Sequence, residues 1–343
     1  MSSPANFNPV YFLCAAGYAT GGTELAHHAA NQLRCIGVDA RMLYMPSDES
    51  PVNSRFSEYN VPWTYHFEDS CKATVIIPET SLGYVHEIKH ARKIAWWMSV
   101  DNFLTYASVD DLIKNRRWGR VFATLKRTTR ERFGFRALDL YANRRIRLRK
   151  DAARFDLHFY QSEYARQFLT SYNISNATRL SDYINDYYLN IDLGKAIEKE
   201  NIVLYNPSKG LSVTQKLMKL VGDIEWVPLQ GYTLEQMRSI LSRAKVYVDF
   251  GNHPGKDRIP REAAVSGCIV VTNRIGSAAN SLDIPIAEEF KVSTGRGFWD
   301  TAANIIRKNI INYDSQFEKQ AEYRDFILSE KNIFKGDLID FSE

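Results

Sequence analysis

The sequence predicts an α/β protein with two doubly wound parallel sheets, each a Rossmann-like domain, and three observations lead there. Apolar runs too continuous for half-exposed strands alternate with stretches of helical periodicity. The alternation occurs twice, over residues 10–160 and again over 201–272. At 343 residues the chain is also too long for one ordinary core, so two domains of roughly 120–200 residues are expected.

The first element is Val10-Tyr11-Phe12-Leu13-Cys14-Ala15-Ala16, an apolar run of the kind a buried parallel strand needs. A small-residue turn, Gly17 to Thr23, follows it. Leu25, Ala29, Ala30, Leu33 and Ile36 then recur at helical spacing, and Gly37 ends the helix. Further strands are read at 38–44, 73–77, 93–99 and 155–160. In the second half, strands at 201–205, 226–229, 244–250 and 268–272 alternate with helices at 211–221, at 234–241 and from about Pro260. Proline suits a first helical turn because its missing N–H would have no partner there. Periodicity is weakest at Asp192-Leu193-Gly194-Lys195-Ala196, which places the domain boundary between 1–192 and 193–313. A helical pattern fills 314–343, and a basic helical insertion, 114–152, interrupts the first domain.

Composition narrows the function classes. The chain has no run of about 18 apolar residues, so no membrane-spanning helix is expected. Its first residues show neither the basic nor the apolar part of a signal peptide. Cys14, Cys35, Cys71 and Cys268 have no CxxC or zinc-site spacing and read as thiols of a reducing compartment, the cytoplasm. No metal site and no cofactor are expected. Neither first strand is followed by G-x-G-x-x-G, which argues against a nicotinamide-dependent oxidoreductase.

Ligands of open parallel sheets bind beyond the carboxyl ends of the strands, and three loops there carry chemistry. Gly21, Gly22 and Thr23 open a helix, where exposed backbone N–H groups and the helix dipole favour a phosphate. Lys209, in Asn206-Pro207-Ser208-Lys209-Gly210, can place an ammonium on a diphosphate. The most specific segment is Phe250 to Cys268, where Lys256, Asp257, Arg258, Arg261 and Glu262 cluster between a buried strand and the helix opening at Pro260. A carboxylate one turn inside that helix can accept two ribose hydroxyls, and Lys256, Arg258 and Arg261 can neutralise phosphate.

The stretch Arg258 to Gly267, with the strand Cys268 to Thr272 and the turn Asn273 to Ser277, resembles the donor-binding segment of retaining GT-B transferases such as the glycosyltransferase 4 family. The resemblance implies a GT-B fold, with two Rossmann-like domains facing a cleft and the last helix, 314–343, packing back on the first. It implies that Glu262, matching the second glutamate of the E-x7-E motif, contacts the ribose, that Lys209 binds the diphosphate, and that Gly21 to Glu24 is the family's N-terminal glycine loop. The motif's first glutamate falls at Pro254, so the family's donor-sugar contact is absent or supplied by another residue, with His253 and Asp257 as candidates. The loops Val75 to Glu79, Trp96 to Asn102 and Leu180 to Ile184 resemble proteins of bacterial polysaccharide gene clusters.

The implied reaction moves a sugar from a nucleotide-sugar to a polysaccharide or polyprenyl-linked glycan. The alternative is an inactive GT-B-like scaffold, as Pro254 would allow. Glu79, His86 and Asp101, at or just past first-domain strand ends, are candidates for the acceptor-activating base. Residues 116–150 hold 13 Lys or Arg against two acids, Glu131 and Asp139, interleaved with aromatics. That composition suits an interfacial segment attracted to anionic lipid at the inner face of a cytoplasmic membrane. No nucleic-acid-binding motif accompanies it, so nucleic acid is not an expected partner.

Overall fold

A computed structural model describes residues 9–45, 51–105, 148, 151–190 and 198–342. The chain divides into two compact units, Met1–Ser181 with Phe334–Glu343, and Asp182–Ile333.

Unit 1 holds a seven-stranded sheet of β1 (Val10–Ala15), β2 (Ala40–Met45), β3 (Trp63–Thr64), β4 (Thr74–Pro78), β5 (Arg92–Trp97), β6 (Leu157–Tyr160) and β7 (Ala177–Arg179). Their order is β3-β2-β1-β4-β5-β6-β7, and every pairing is parallel. The apolar run read as the first strand is β1, whose Val10, Tyr11, Phe12, Leu13 and Cys14 are all buried. Helix α1 (Gly21–Cys35) buries Leu25, Ala29, Ala30 and Leu33, the stripe set by the 3.6-residue period. Ile36 is instead exposed at its C-cap, and Gly37 follows at φ +91°. Two further helices matter for the site, α2 (Val100–Thr105) and α3 (Glu163–Ser171).

Unit 2 holds a five-stranded parallel sheet in the order β12-β11-β10-β8-β9. Its strands are β8 (Glu200–Tyr205), β9 (Glu225–Pro228), β10 (Ala244–Asp249), β11 (Ile269–Asn273) and β12 (Lys291–Val292). The helices are α4 (Asp186–Leu189), α5 (Leu211–Leu220), α6 (Leu234–Arg243), α7 (Arg258–Val265), α8 (Phe298–Ile311), α9 (Tyr313–Glu318) and α10 (Ala321–Ser342), of which α10 from Phe334 on is counted in unit 1. Two apolar cores flank the sheet. Tyr247, Ile269 and Val270 pack with Ala263, Ala264 and Tyr323 in one, and Val203, Val246 and Val248 pack with Leu217 and Ile306 in the other.

Each sheet order reverses at one place, between β1 and β4 in unit 1 and between β8 and β10 in unit 2. Such switch points leave a crevice at the carboxyl ends of the two strands, where ligands of doubly wound sheets bind. The Gly21 loop and Glu79 follow β1 and β4, while Lys209 and the 250–257 loop follow β8 and β10.

Candidate functional site

In unit 2 the turn after β8 and the loop after β10 approach more closely than side chains permit. A Cβ on Gly251 would stand 2.5 Å from the Lys209 Cβ. A Cβ on Gly276 (φ +62°) would overlap the His253 carbonyl oxygen, which accepts the Ser277 N–H at 2.9 Å. The glycines thus seat the 250–257 loop between Lys209 and the turn after β11.

A chain of charges runs through this loop. Lys209 Nζ lies 2.6 Å from Asp257 Oδ1, and His253 Nδ1 lies 3.0 Å from Asp257 Oδ2. On the ring's other edge, Nε2 is 3.3 Å from the Asp249 carbonyl oxygen and 3.7 Å from Asp249 Oδ1. Asp249 in turn accepts the Gly251 N–H at 3.1 Å and the Tyr247 hydroxyl at 3.0 Å. Burial opposes charge on both central groups, but their partners prevail. Asp249 and Asp257 hold the His253 pKa above its ordinary value, and Lys209 and His253 hold Asp257 below its own.

Asp257 is the N-cap of α7, yet its side chain makes no cap hydrogen bond, because Lys209 and His253 take its oxygens. Asp249, His253 and Asp257 also form a group of potential metal ligands, with atoms within 4.8 Å of one another. The imidazole, however, stands between the carboxylates with a different edge toward each, and a lysine meets one of them. That geometry suits a shared ring better than a shared ion.

Several residues read as donor contacts stand elsewhere. Arg261 Nη1 donates to Glu330 at 2.7 Å and to Asp182 at 3.0 Å, and Nη2 donates to Asp182 at 2.6 Å. Lys256 lies 2.5 Å from Glu330 and 3.6 Å from Asp182. All four side chains are buried. Burial alone would raise the Asp182 pKa, but Arg261 and Lys256 hold it low. Arg261 and Lys256 therefore tie α7 to α10 and to the segment before α4, and do not meet a donor phosphate. Both ring edges of His253 face aspartates, and the Asp257 carboxylate meets Lys209 and His253, so neither side chain is turned toward a donor sugar here. Arg258 and Glu262, both half-buried on α7, keep places compatible with their reading.

In unit 1, Thr20 caps α1, and Thr23 closes a capping box: its hydroxyl accepts the Thr20 N–H at 2.8 Å. The Thr23 hydroxyl is thus part of the helix start rather than displayed to a ligand. A Cβ on Gly22 would lie 3.5 Å from the Met98 sulfur, and the Met98 N–H donates to Glu79 Oε2 at 3.1 Å. These contacts join the ends of β1, β4 and β5. Burial pushes the Glu79 pKa up to about 7, against backbone N–H groups of Glu79, Met98 and Ser99 that favour the charged form. Asp101, in the first turn of α2, accepts the Tyr164 hydroxyl of α3 at 3.1 Å. His86 has a different partner, Asp151, at 3.0 Å. Of the basic segment 116–150, only Leu148 falls within the described residues.

Asp249, Asp182, Glu330 and Tyr164 escaped the sequence reading. Asp249 left one usable sign: an acid closing the apolar run Val246-Tyr247-Val248 must find a buried partner.

No protein-family model and no curated protein sequence matches the chain. Solved structures do match. Sucrose-phosphate synthase from Thermosynechococcus elongatus aligns at TM-score 0.63 and 11% identity, over 97% of this chain and 96% of that one. Anabaena HepE in complex with UDP aligns at TM-score 0.57 and 11% identity, over 97% and 99%. TarM aligns at TM-score 0.54 and 14% identity over 80% of this chain, which spans 56% of the length of TarM. The likeness, with the two parallel sheets, makes the fold GT-B.

Proposed function

We propose that the chain is a glycosyltransferase whose unit 2 binds a nucleoside-diphosphate sugar and whose unit 1 activates a glycan acceptor. The observation that carries this reading is the switch-point site of unit 2. Lys209 is held beside the start of α7, Glu262 lies one turn inside that helix, and Asp257 leaves the helix start uncapped by its side chain. A helix start without a side-chain cap, next to an ammonium, suits a diphosphate, and a carboxylate one turn on suits a ribose. HepE, of like fold, was solved with UDP. Charge on the leaving diphosphate is met by Lys209, Arg258 and the helix dipole, without a divalent ion.

For the acceptor side, Glu79 stands at the other switch point, poised near neutrality by burial. A base with a pKa near the working pH both holds its proton-accepting form and accepts strongly. We take Glu79 as the acceptor-activating base and Asp101 as a second candidate. The acceptor is read as a surface polysaccharide or its lipid-linked precursor, with the basic segment 116–150 drawing the enzyme to an anionic inner leaflet.

Calorimetry with UDP, GDP, CMP and dTDP, and with their sugars, tests the donor site. Glu262→Ala and Lys209→Ala should each weaken the tightest-binding nucleotide by about 1–3 kcal/mol; undiminished affinity in both would refute the assignment. Pro254, where the family's first glutamate stands, favours a second reading, an inactive scaffold of the same fold. Turnover of a bound nucleotide-sugar, by transfer or slow hydrolysis, separates the two.

A further inference from the structure

His253 sits where two acceptors face one ring. Nε2 is 3.3 Å from a main-chain carbonyl oxygen, that of Asp249, which can only accept. Nδ1 is 3.0 Å from a carboxylate oxygen of Asp257 that lies beside Lys209 and is ordinarily ionised. A neutral imidazole has a single N–H and would leave one of these contacts between two acceptors. With a proton on both nitrogens, Nε2–H donates to the carbonyl and Nδ1 meets the Asp257 carboxylate as an ion pair, at an angle too bent for a hydrogen bond, and the ring's charge lies between two aspartates. A buried carboxylate without such compensation would be costly.

On the donor-site reading, Lys209 is the member of this chain of charges that meets a ligand. The Lys209 side chain is 27% exposed, whereas that of His253 is fully buried. Without the ring's charge, Asp249 and Asp257 would leave Lys209 as the one cation of this chain of contacts, beside two negative charges. A diphosphate would then approach a neutralised ammonium and an uncompensated carboxylate. The groups facing the ring are Asp249, with the Tyr247 hydroxyl behind it, on β10, Asp257 at the start of α7, and Lys209 after β8.

We propose that His253 is a buried imidazolium that acts as a positioning residue: bridging Asp249 and Asp257, it turns the Asp257 carboxylate to Lys209 and balances its charge, so that the lysine receives a diphosphate. The proposal rests on the donor-site reading above. It requires that His253 act on the ligand only through Lys209.

Two measurements test it. A long-range ¹H–¹⁵N spectrum of the wild-type protein with ¹⁵N-labelled histidine, at pH 7.5, should show one buried ring protonated on both nitrogens. A singly protonated His253, or two ring protons displaced by stoichiometric Zn²⁺ or Mn²⁺, would overturn the proposal without need of any variant. The second is a double-mutant cycle on the affinity for UDP and for inorganic pyrophosphate. Lys209→Ala and His253→Gln should each weaken binding by about tenfold. In the Lys209→Ala background, His253→Gln should add little, because the lysine it positions is gone. Additive losses, or no loss from His253→Gln alone, would leave His253 a packing residue and overturn the inference while the donor site stands. An unchanged Lys209→Ala would instead remove the donor-site reading itself. If His253→Gln does not fold, the spectrum decides.

Discussion

Glu79 is under two opposed demands. Burial disfavours its charge, so its pKa rises from 4.5 to about 7 in the fold. The native state then holds the proton more tightly than the unfolded chain does. Stability from this group is fully present below about pH 4.5 and is lost as pH rises toward 7, up to about 3 kcal/mol. A base, by contrast, must be deprotonated to act. Transfer should therefore rise through about pH 7 as the fold weakens, and Glu79→Gln should lose that limb while unfolding at higher urea than wild type at pH 8. Equal urea midpoints at pH 8, or an unaltered pH–rate profile, would separate Glu79 from these roles. At this scale the sequence showed where side chains stand: Lys209 and Glu79 follow the ends of β8 and β4, and Glu262 lies in α7. It misled at Lys256 and Arg261, whose partners Asp182 and Glu330 lie 79 and 69 residues from Arg261. A charge beside a loop looks alike whether it faces a ligand or a distant carboxylate.

Among elements, the central strands and the edge strand β9 were readable, and the other three edges were not. The unforeseen strands β3, β7 and β12 have two, three and two residues, and all three lie at a sheet edge. Strands of two or three residues are too short to show an apolar run, and short edges resist pairing with other chains. The Asp182–Lys256–Arg261–Glu330 cluster is likewise a matter of elements, since it fastens α7 to α10. Removing one partner leaves buried charge uncompensated, so Arg261→Met should cost about 3–5 kcal/mol in urea unfolding. Replacing Arg261, Lys256, Asp182 and Glu330 together by apolar residues should cost less than the single change, because no buried charge is then left without a partner. Folded Arg261→Met should still bind nucleotide within a few-fold of wild type, because the guanidinium is taken up by Asp182 and Glu330. A large loss of affinity at unchanged stability would return Arg261 to the donor site.

For the whole molecule, charge distribution says more than net charge. The chain carries +4, yet 116–150 holds 13 basic residues and two acids. The remainder is therefore net acidic, and a negatively charged surface would repel the body while attracting this one stretch. Among the described residues no helix is long and apolar enough to cross a membrane. Each basic residue at an anionic surface contributes about 1 kcal/mol, and the attraction fades over a Debye length of roughly 8–10 Å. Trp118, Phe122, Phe133, Phe135 and Tyr141 add apolar area that could enter the headgroup region. Co-sedimentation should thus require anionic lipid and fall between low and high salt. Changing Arg144, Arg145, Arg147 and Arg149 to Glu should abolish it and leave nucleotide affinity intact, since Lys209 and Glu262 belong to unit 2. Equal sedimentation with neutral and anionic vesicles, or none with either, would remove the membrane from the proposed function and leave the donor site untouched.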